Sequence, residues 1–320
     1  MKENYFYSNG KLLLTGEYLV LRGAEALAMP VRFGQSLEVS TEKSTRPLIT
    51  WKTFVENQLW QKLEYTGRHF LFQGLCDDPV YVKLRKYLNA AKNISGKFPE
   101  EQTHYKVKTD INFDISWGLG SSSSLIANIG KWLQIDPMEI FRRTENGSGY
   151  DIACALSDSP IIYKTDNGRN FHEIRPVELT FPFQDQIYFV YSGQKAVSAQ
   201  KVQSFNENSS VVTAADIENI SSLSREMAAC KTLDQFEKII KEHENITGTI
   251  LKEIPVKNQK FSDFEGAIKS LGAWGGDFLM VTTPHEEKYL REYFSEKGLT
   301  TFFPYSEMVL KKSSNQQEKV

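Results

Sequence analysis

The chain has 320 residues, with 38 lysines and arginines against 40 aspartates and glutamates and 40% hydrophobic residues, which suits a globular protein of about two domains. A formal charge of −2 offers no basic field for a polyanion, which argues against nucleic-acid binding, and no apolar run approaches the roughly 18–20 residues that span a bilayer. The start, MKENYFYSNGKLLL, lacks the apolar stretch of a secretory leader, and three cysteines (Cys76, Cys154, Cys230) without metal-ligand spacing fit a reducing cytoplasm.

The first 40 residues read as extended structure. Runs at 5–7, 12–14 and 36–40 are aliphatic, aromatic or alternating, and Asn9-Gly10, Gly23 and Gly34 are expected to break them. Residues 47–75, rich in aromatics from Trp51 to Phe72, suit more strand and turn. Over 79–92 the residues Val82, Leu84, Tyr87 and Leu88 repeat at helical spacing. Residues 105–115 alternate, so that Tyr105, Val107, Thr109, Ile111, Phe113 and Ile115 share one face of a strand. Beyond Gly118-Leu119-Gly120, the side chains of Leu125, Ile126, Ile129, Trp132 and Leu133 fall on one face of a helix that Ser121 to Ser124 open. Asp136-Pro137 reads as the N-cap and first position of another helix.

A second half begins near Ile161. Residues 187–191 suit a buried strand, 214–230 and 233–252 two helices with Asp216 and Asp234 near their starts, and 268–282 two strands around a glycine turn. A helix is expected over 286–297, a last strand over 300–310 and a frayed polar tail over 311–320. No repeat or low-complexity linker interrupts the chain, and the expected architecture is a two-layer α+β arrangement in each half.

Chemistry concentrates where glycines cluster. The N-terminus of a helix leaves about four backbone N–H groups without intrahelical partners and carries partial positive charge. Glycines ahead of it let phosphate approach the backbone, and serine hydroxyls add donors or a magnesium ligand. Gly118-Leu119-Gly120-Ser121-Ser122-Ser123 has these parts but is no Walker A loop, because no Gly-Lys-Ser/Thr follows; a plain helix-capping turn explains it equally well. Lys11, between Gly10 and an aliphatic run, suits either a site edge or a solvated surface. Asp151, in Gly147-Ser148-Gly149-Tyr150-Asp151-Ile152-Ala153, suits a catalytic carboxylate or a helix N-cap. Leu271-Gly272-Ala273-Trp274-Gly275-Gly276-Asp277 suits a glycine hairpin. The five histidines are scattered without ligand spacing.

In this order and rough spacing, over residues 5–310, the four clusters resemble the GHMP kinase superfamily, which includes galactokinase, homoserine kinase, mevalonate kinase and phosphomevalonate kinase. The resemblance implies a two-domain α+β fold, with a ribosomal-protein-S5-like ATP-binding domain over 1–160 and a ferredoxin-like domain over 161–310. It implies an ATP- and Mg2+-dependent small-molecule kinase. Gly118, Leu119, Gly120, Ser121, Ser122 and Ser123 would wrap the ATP phosphates, with Ser122 reaching magnesium. Asp151 would face the acceptor and Lys11 would lie beside it. Glu17, Ser148, Gly149, Lys195, Ser198, Gly272, Ala273, Gly275 and Gly276 would line the substrate side.

Finer features lean towards the phosphomevalonate kinase and mevalonate kinase branch: the run from Gly10 to Leu21, the Gly-Ser-Gly-Tyr-Asp segment, the Gly-Gly-Asp ending at Asp277, and 191–198. Trp274 stands where that branch has glycine, which is expected to reshape the pocket, and Ser198 stands for a threonine. The magnesium glutamate of mevalonate kinase has no clear counterpart, Glu139 and Glu145 being the nearest carboxylates. A kinase for a sugar or amino-acid hydroxyl, or a non-catalytic nucleotide sensor, remain the alternatives, and no oligomeric state is implied.

Overall fold

The computed structural model describes residues 4–67, 70–72, 78–166, 172–194, 205, 212–272, 274 and 276–310. They form two units that interleave along the chain. Unit 1 comprises residues 1–10, 33–115 and 119–156, and unit 2 comprises 11–32, 116–118 and 157–320. Two long strands carry the chain across this division: β1 (Asn4–Leu13) and its partner β2 (Ala26–Lys43).

In unit 1 the sheet runs β5-β4-β3-β6-β2, with β3 Leu48–Val55, β4 Gln58–Thr66, β5 Leu71–Phe72 and β6 Thr103–Ile111. β3 and β4 are closed by a two-residue turn, Glu56-Asn57, whose φ values of 50° and 64° match the right-handed strand twist. Helix α1 (Pro79–Ser95) separates β5 from β6, so β3 and β6 pair in parallel. Its N-cap is Asp78, whose side chain accepts from Val80 N, with proline at the first position. The periodicity places it correctly, but Tyr81 rather than Val82 is buried with Leu84, Tyr87 and Leu88; Val82 is 51% exposed. Helices α2 (Ser121–Leu133), α3 (Pro137–Thr144, capped by Asp136 as the sequence predicts) and α4 (Tyr150–Ala155) complete the unit. The core joins Trp51, Leu63 and Tyr65 of the hairpin to Leu84 and Leu88 of α1 and Ile126 and Ile129 of α2.

Two expected strand breaks do not occur. β1 runs through Asn9-Gly10 and β2 through Gly34. Gly34 serves close approach rather than a turn, because a Cβ there would run into the Ser8 carbonyl and the Tyr7 phenol. β6 ends at Ile111, short of the expected 115: Phe113 is still buried, whereas Ile115 has entered a short 3-10 turn.

In unit 2, Ala26–Ala28 of β2 pair with β7 (Ile161–Thr165), which pairs with β8 (His172–Pro176). A separate antiparallel sheet has the order β10-β11-β9-β12, with β9 Ile187–Tyr191, β10 Ile268–Ser270, β11 Phe278–Thr282 and β12 Phe302–Pro304. Its helices are α5 (Ala214–Ala229), α6 (Leu233–Leu251), α7 (Val256–Lys260), α8 (Glu287–Glu296) and α9 (Tyr305–Met308). Thr213 and Thr232 are the N-caps of α5 and α6, with Asp216 and Asp234 in the first turns; Asp216 accepts from Thr213 N and completes a capping box. The strand expected over 300–310 is only three residues long, because the chain turns into α9 after Pro304. The tail expected to fray, 311–320, lies outside the described residues.

Candidate active site

In unit 1, Leu119-Gly120 leads into α2, and the N-cap Gly120, at φ 90°, supplies no side-chain cap. The first intrahelical bond is Ser124 N to Gly120 O, so the amides of the three preceding serines stand at the open, positive end of the helix. The hydroxyls of Ser122, Ser123 and Ser124 differ sharply. Ser123 Oγ donates back to Gly120 O at 2.8 Å, and Ser124 Oγ is bound among Gly120 O, Ser121 O and Gln35 Oε1. Ser122 Oγ instead accepts from Lys83 Nζ at 2.8 Å.

Lys83 lies on α1 and reaches a second group, the Glu145 carboxylate, at 3.9 Å. Glu145 follows α3 and accepts from the Tyr87 hydroxyl at 2.6 Å. Tyr87 also interacts with Ser122 and feels the charge of Asp151; burial, then Glu145, hold its phenol far above the ordinary tyrosine range, so it stays a donor. Asp151 is in the first turn of α4 and is not its N-cap, which is Gly149 at φ 86°. Ser148 Oγ accepts from Tyr150 N at 3.4 Å just before it. Thus Ser122, Lys83, Tyr87, Glu145 and Asp151 converge from three helices and the segments between them. The two carboxylates differ in their partners: Glu139 is turned to Arg142 and Arg143 at 2.6 and 3.6 Å, while Glu145 shares Lys83 with Ser122.

Unit 2 holds the other candidates. Lys11 Nζ donates to Gly118 O at 2.9 Å. Gly118 has φ 68°, and a Cβ there would clash with the Asp277 carboxyl group, so this turn needs glycine for both conformation and space. Asp277 accepts from Ser192 N through its carbonyl and donates its own N–H to Gln194 O, each at 2.8 Å, which brings 192–194 to the glycine turn. Gly272 (φ 71°) and Gly276 lie in that turn; Ala273, Gly275, Lys195 and Ser198 are outside the described residues.

Trp274 lines a cavity together with Ser192, Gln194, Glu253, Ser270 and Leu279, but most of its surface is packed into the protein. Its side chain is 2% exposed and packs with Tyr18 and Phe205, and its ring comes within 3.0 Å of where a Cβ on Gly248 of α6 would lie. The glycine of α6 makes the room, so the indole joins the core of unit 2.

Glu17 is likewise buried. Its Oε1 accepts from Lys269 Nζ at 2.5 Å, and Lys269 lies 3.6 Å from Glu244. Burial pushes the carboxyls of Glu17 and Glu244 up, Glu244 to about 7, against the opposing pull of Lys269. His243 Nε2 accepts from Gly16 N at 3.0 Å, and burial followed by the Lys269 charge holds the imidazole well below its usual range, so it is neutral.

Sequence reasoning did not single out Lys83, Tyr87, His243, Glu244 or Lys269. Lys83 and Tyr87 sit on a helix that reads as purely structural; only their i, i+4 spacing, which puts both on one side of α1, hints at a shared target.

Neither a family model nor a curated protein sequence matches the chain. Solved structures do. A Lin0012 protein from Listeria innocua is 18% identical with a TM-score of 0.71, over 95% of this chain and 97% of its own. Streptococcus pneumoniae phosphomevalonate kinase, in complex with phosphomevalonate and AMPPNP, is 17% identical with a TM-score of 0.68, over 95% and 99%. Methanococcus jannaschii mevalonate kinase is 16% identical with a TM-score of 0.67, over 94% and 97%.

Proposed function

From the GHMP kinase fold, which this chain has along nearly its whole length, we propose that it is an ATP- and Mg2+-dependent phosphotransferase. The proposed acceptor is a small molecule of the phosphomevalonate or mevalonate type. The observation that carries the reading is the grouping of Ser122, Lys83, Glu145 and Asp151 at an uncapped helix N-terminus behind two left-handed glycines.

The residues suit the groups. The open amides of Ser121 to Ser123 would take phosphate oxygens, and the Lys83 ammonium would neutralise part of their charge. A hydroxyl from Ser122 and a carboxylate from Glu145 are hard oxygen donors of the kind magnesium takes. Bound there, magnesium would supply charge neutralisation to the phosphates and to the loose, anionic transition state.

In the reaction, an acceptor oxygen forms a bond to the terminal phosphorus of ATP as the bridging P–O bond breaks, and ADP departs. Asp151 orients the acceptor and, for a hydroxyl acceptor, takes its proton. By the family's pattern Lys11 would favour the ionised carboxylate and the developing negative charge. Tyr87, kept protonated, holds the Glu145 carboxylate in place through its 2.6 Å bond. Incubation with Mg-ATP and either phosphomevalonate or mevalonate, following ADP release, tests the proposal: turnover with one of them is expected. ADP at background with both removes that acceptor class, and faster turnover of galactose or homoserine assigns a different one.

A further inference from the structure

Four ionisable side chains are buried together in unit 2: Glu17, His243, Glu244 and Lys269, each no more than 2% exposed. Burying so much charge is costly unless it is paired, and the arrangement has a direction. We infer that Lys269 is a positioning residue, whose buried ammonium ties the segment carrying Lys11 to the strand entering the glycine turn. The inference rests on the phosphotransferase reading only for its consequence in catalysis.

On one side, Lys269 Nζ binds Glu17 Oε1 at 2.5 Å, six residues beyond Lys11. The same segment is held by Gly16 N to His243 and by the 2.7 Å contact of the Thr15 and Ser224 hydroxyls. On the other side, Lys269 Nζ donates to Ser270 O at 3.1 Å, and Leu271 N to Phe278 O at 3.0 Å closes the turn that carries Asp277. Asp277 backs Gly118, and Gly118 O receives Lys11 Nζ. One ammonium therefore braces both the strand that bears Lys11 and the turn behind its acceptor carbonyl.

Glu244 makes the brace sensitive to protons. It faces Lys269 from α6 and Glu17 from the N-terminal segment, with neutral His243 next to it in sequence. A cavity whose lining includes Glu237 and Lys241 of α6 and Lys257 of α7 reaches it and opens a path for water. As Glu244 ionises, it competes with Glu17 for the single ammonium.

Hydrogen exchange followed by mass spectrometry tests the inference on the full chain. Lys269→Met is expected to speed exchange of peptides within 11–23 and 268–282 at least tenfold while the 48–66 hairpin of unit 1 keeps its wild-type rate. It should also lower kcat at least tenfold with KM for ATP within twofold. Equal acceleration in all three regions, or in none, overturns the inference, since a merely structural lysine would act through global unfolding. Should this variant not fold, Glu244→Gln decides. In the wild type, protection of 11–23, corrected for intrinsic exchange, is expected to fall about threefold or more between about pH 6 and 8. The variant should be flat, and a wild-type slope in it overturns the inference. If the wild type transfers phosphate to no acceptor, the kinase reading fails while the exchange pattern still decides the brace.

Discussion

Glu244→Gln should remove a pH dependence of global stability that the buried carboxyl imposes. Burial raises Glu244 from 4.5 to about 7, and each pK unit is worth about 1.4 kcal/mol between the two protonation states. The preference of the folded protein for the protonated acid is therefore roughly 3 kcal/mol. The folded state binds this proton more tightly than the unfolded chain, so the stabilisation is complete below 4.5 and is lost as pH rises through about 7. Gln mimics the neutral acid and cannot ionise. Urea denaturation of both proteins, at about pH 5, 6, 7 and 8, gives the difference curve directly. Near pH 5 the two should be similar, and by pH 8 the variant should have gained roughly 2–3 kcal/mol on the wild type. His243, whose lowered pKa acts with the opposite sign and removes stability as pH falls, is present in both proteins and drops out of the difference. Glu17, also raised, loses a like-charged neighbour in the variant, which flattens the curve further. A difference that stays constant within about 0.5 kcal/mol across the range would refute the reasoning.

The other expectations concern the candidate residues of each unit in turn. Asp151→Ala or Lys11→Ala should cut kcat on the order of 10²-fold or more while calorimetry still detects ATP binding. Lys83→Met should raise KM for ATP and lower kcat with little change in melting temperature, because this lysine is 46% exposed and its ion pair with Glu145 is long. Gly118→Ala should cost about 1–2 kcal/mol for its left-handed backbone alone, and the displaced Asp277 should lower activity as well; a thermal melt and kinetics separate the two. Trp274→Ala should destabilise the protein by about 3–5 kcal/mol in denaturant titration, as for any large buried aromatic.

Much of the fold follows from local rules that can be read along the chain. Asp78-Pro79 and Asp136-Pro137 each supply a cap and a preset first dihedral, and the structure starts helices at both. The alternation of Tyr105, Val107, Thr109 and Ile111 gives a strand with one buried face. The same local logic misreads Gly34, because glycine at a turn and glycine at a close contact look identical until the opposing Tyr7 and Ser8 are in place. Nor does it show what makes room for Trp274, which is the absent side chain of Gly248, 26 positions earlier in the chain.

By itself the sequence determined where the chemistry is concentrated: glycine clusters around 10, 118–120, 147–149 and 272–276, one opening a serine-led helix, on a nearly neutral chain. Tertiary structure alone decided which side chains at those places are available. Ser122 is singled out from its neighbours by Lys83, 39 positions away, Glu145 is held by Tyr87 across 58 positions, and Glu17 meets Lys269 across 252. Spacing along one helix or strand fixes which residues share a face, but the partner a buried charge needs to offset its desolvation can come from any part of the chain. Only the folded packing selects it.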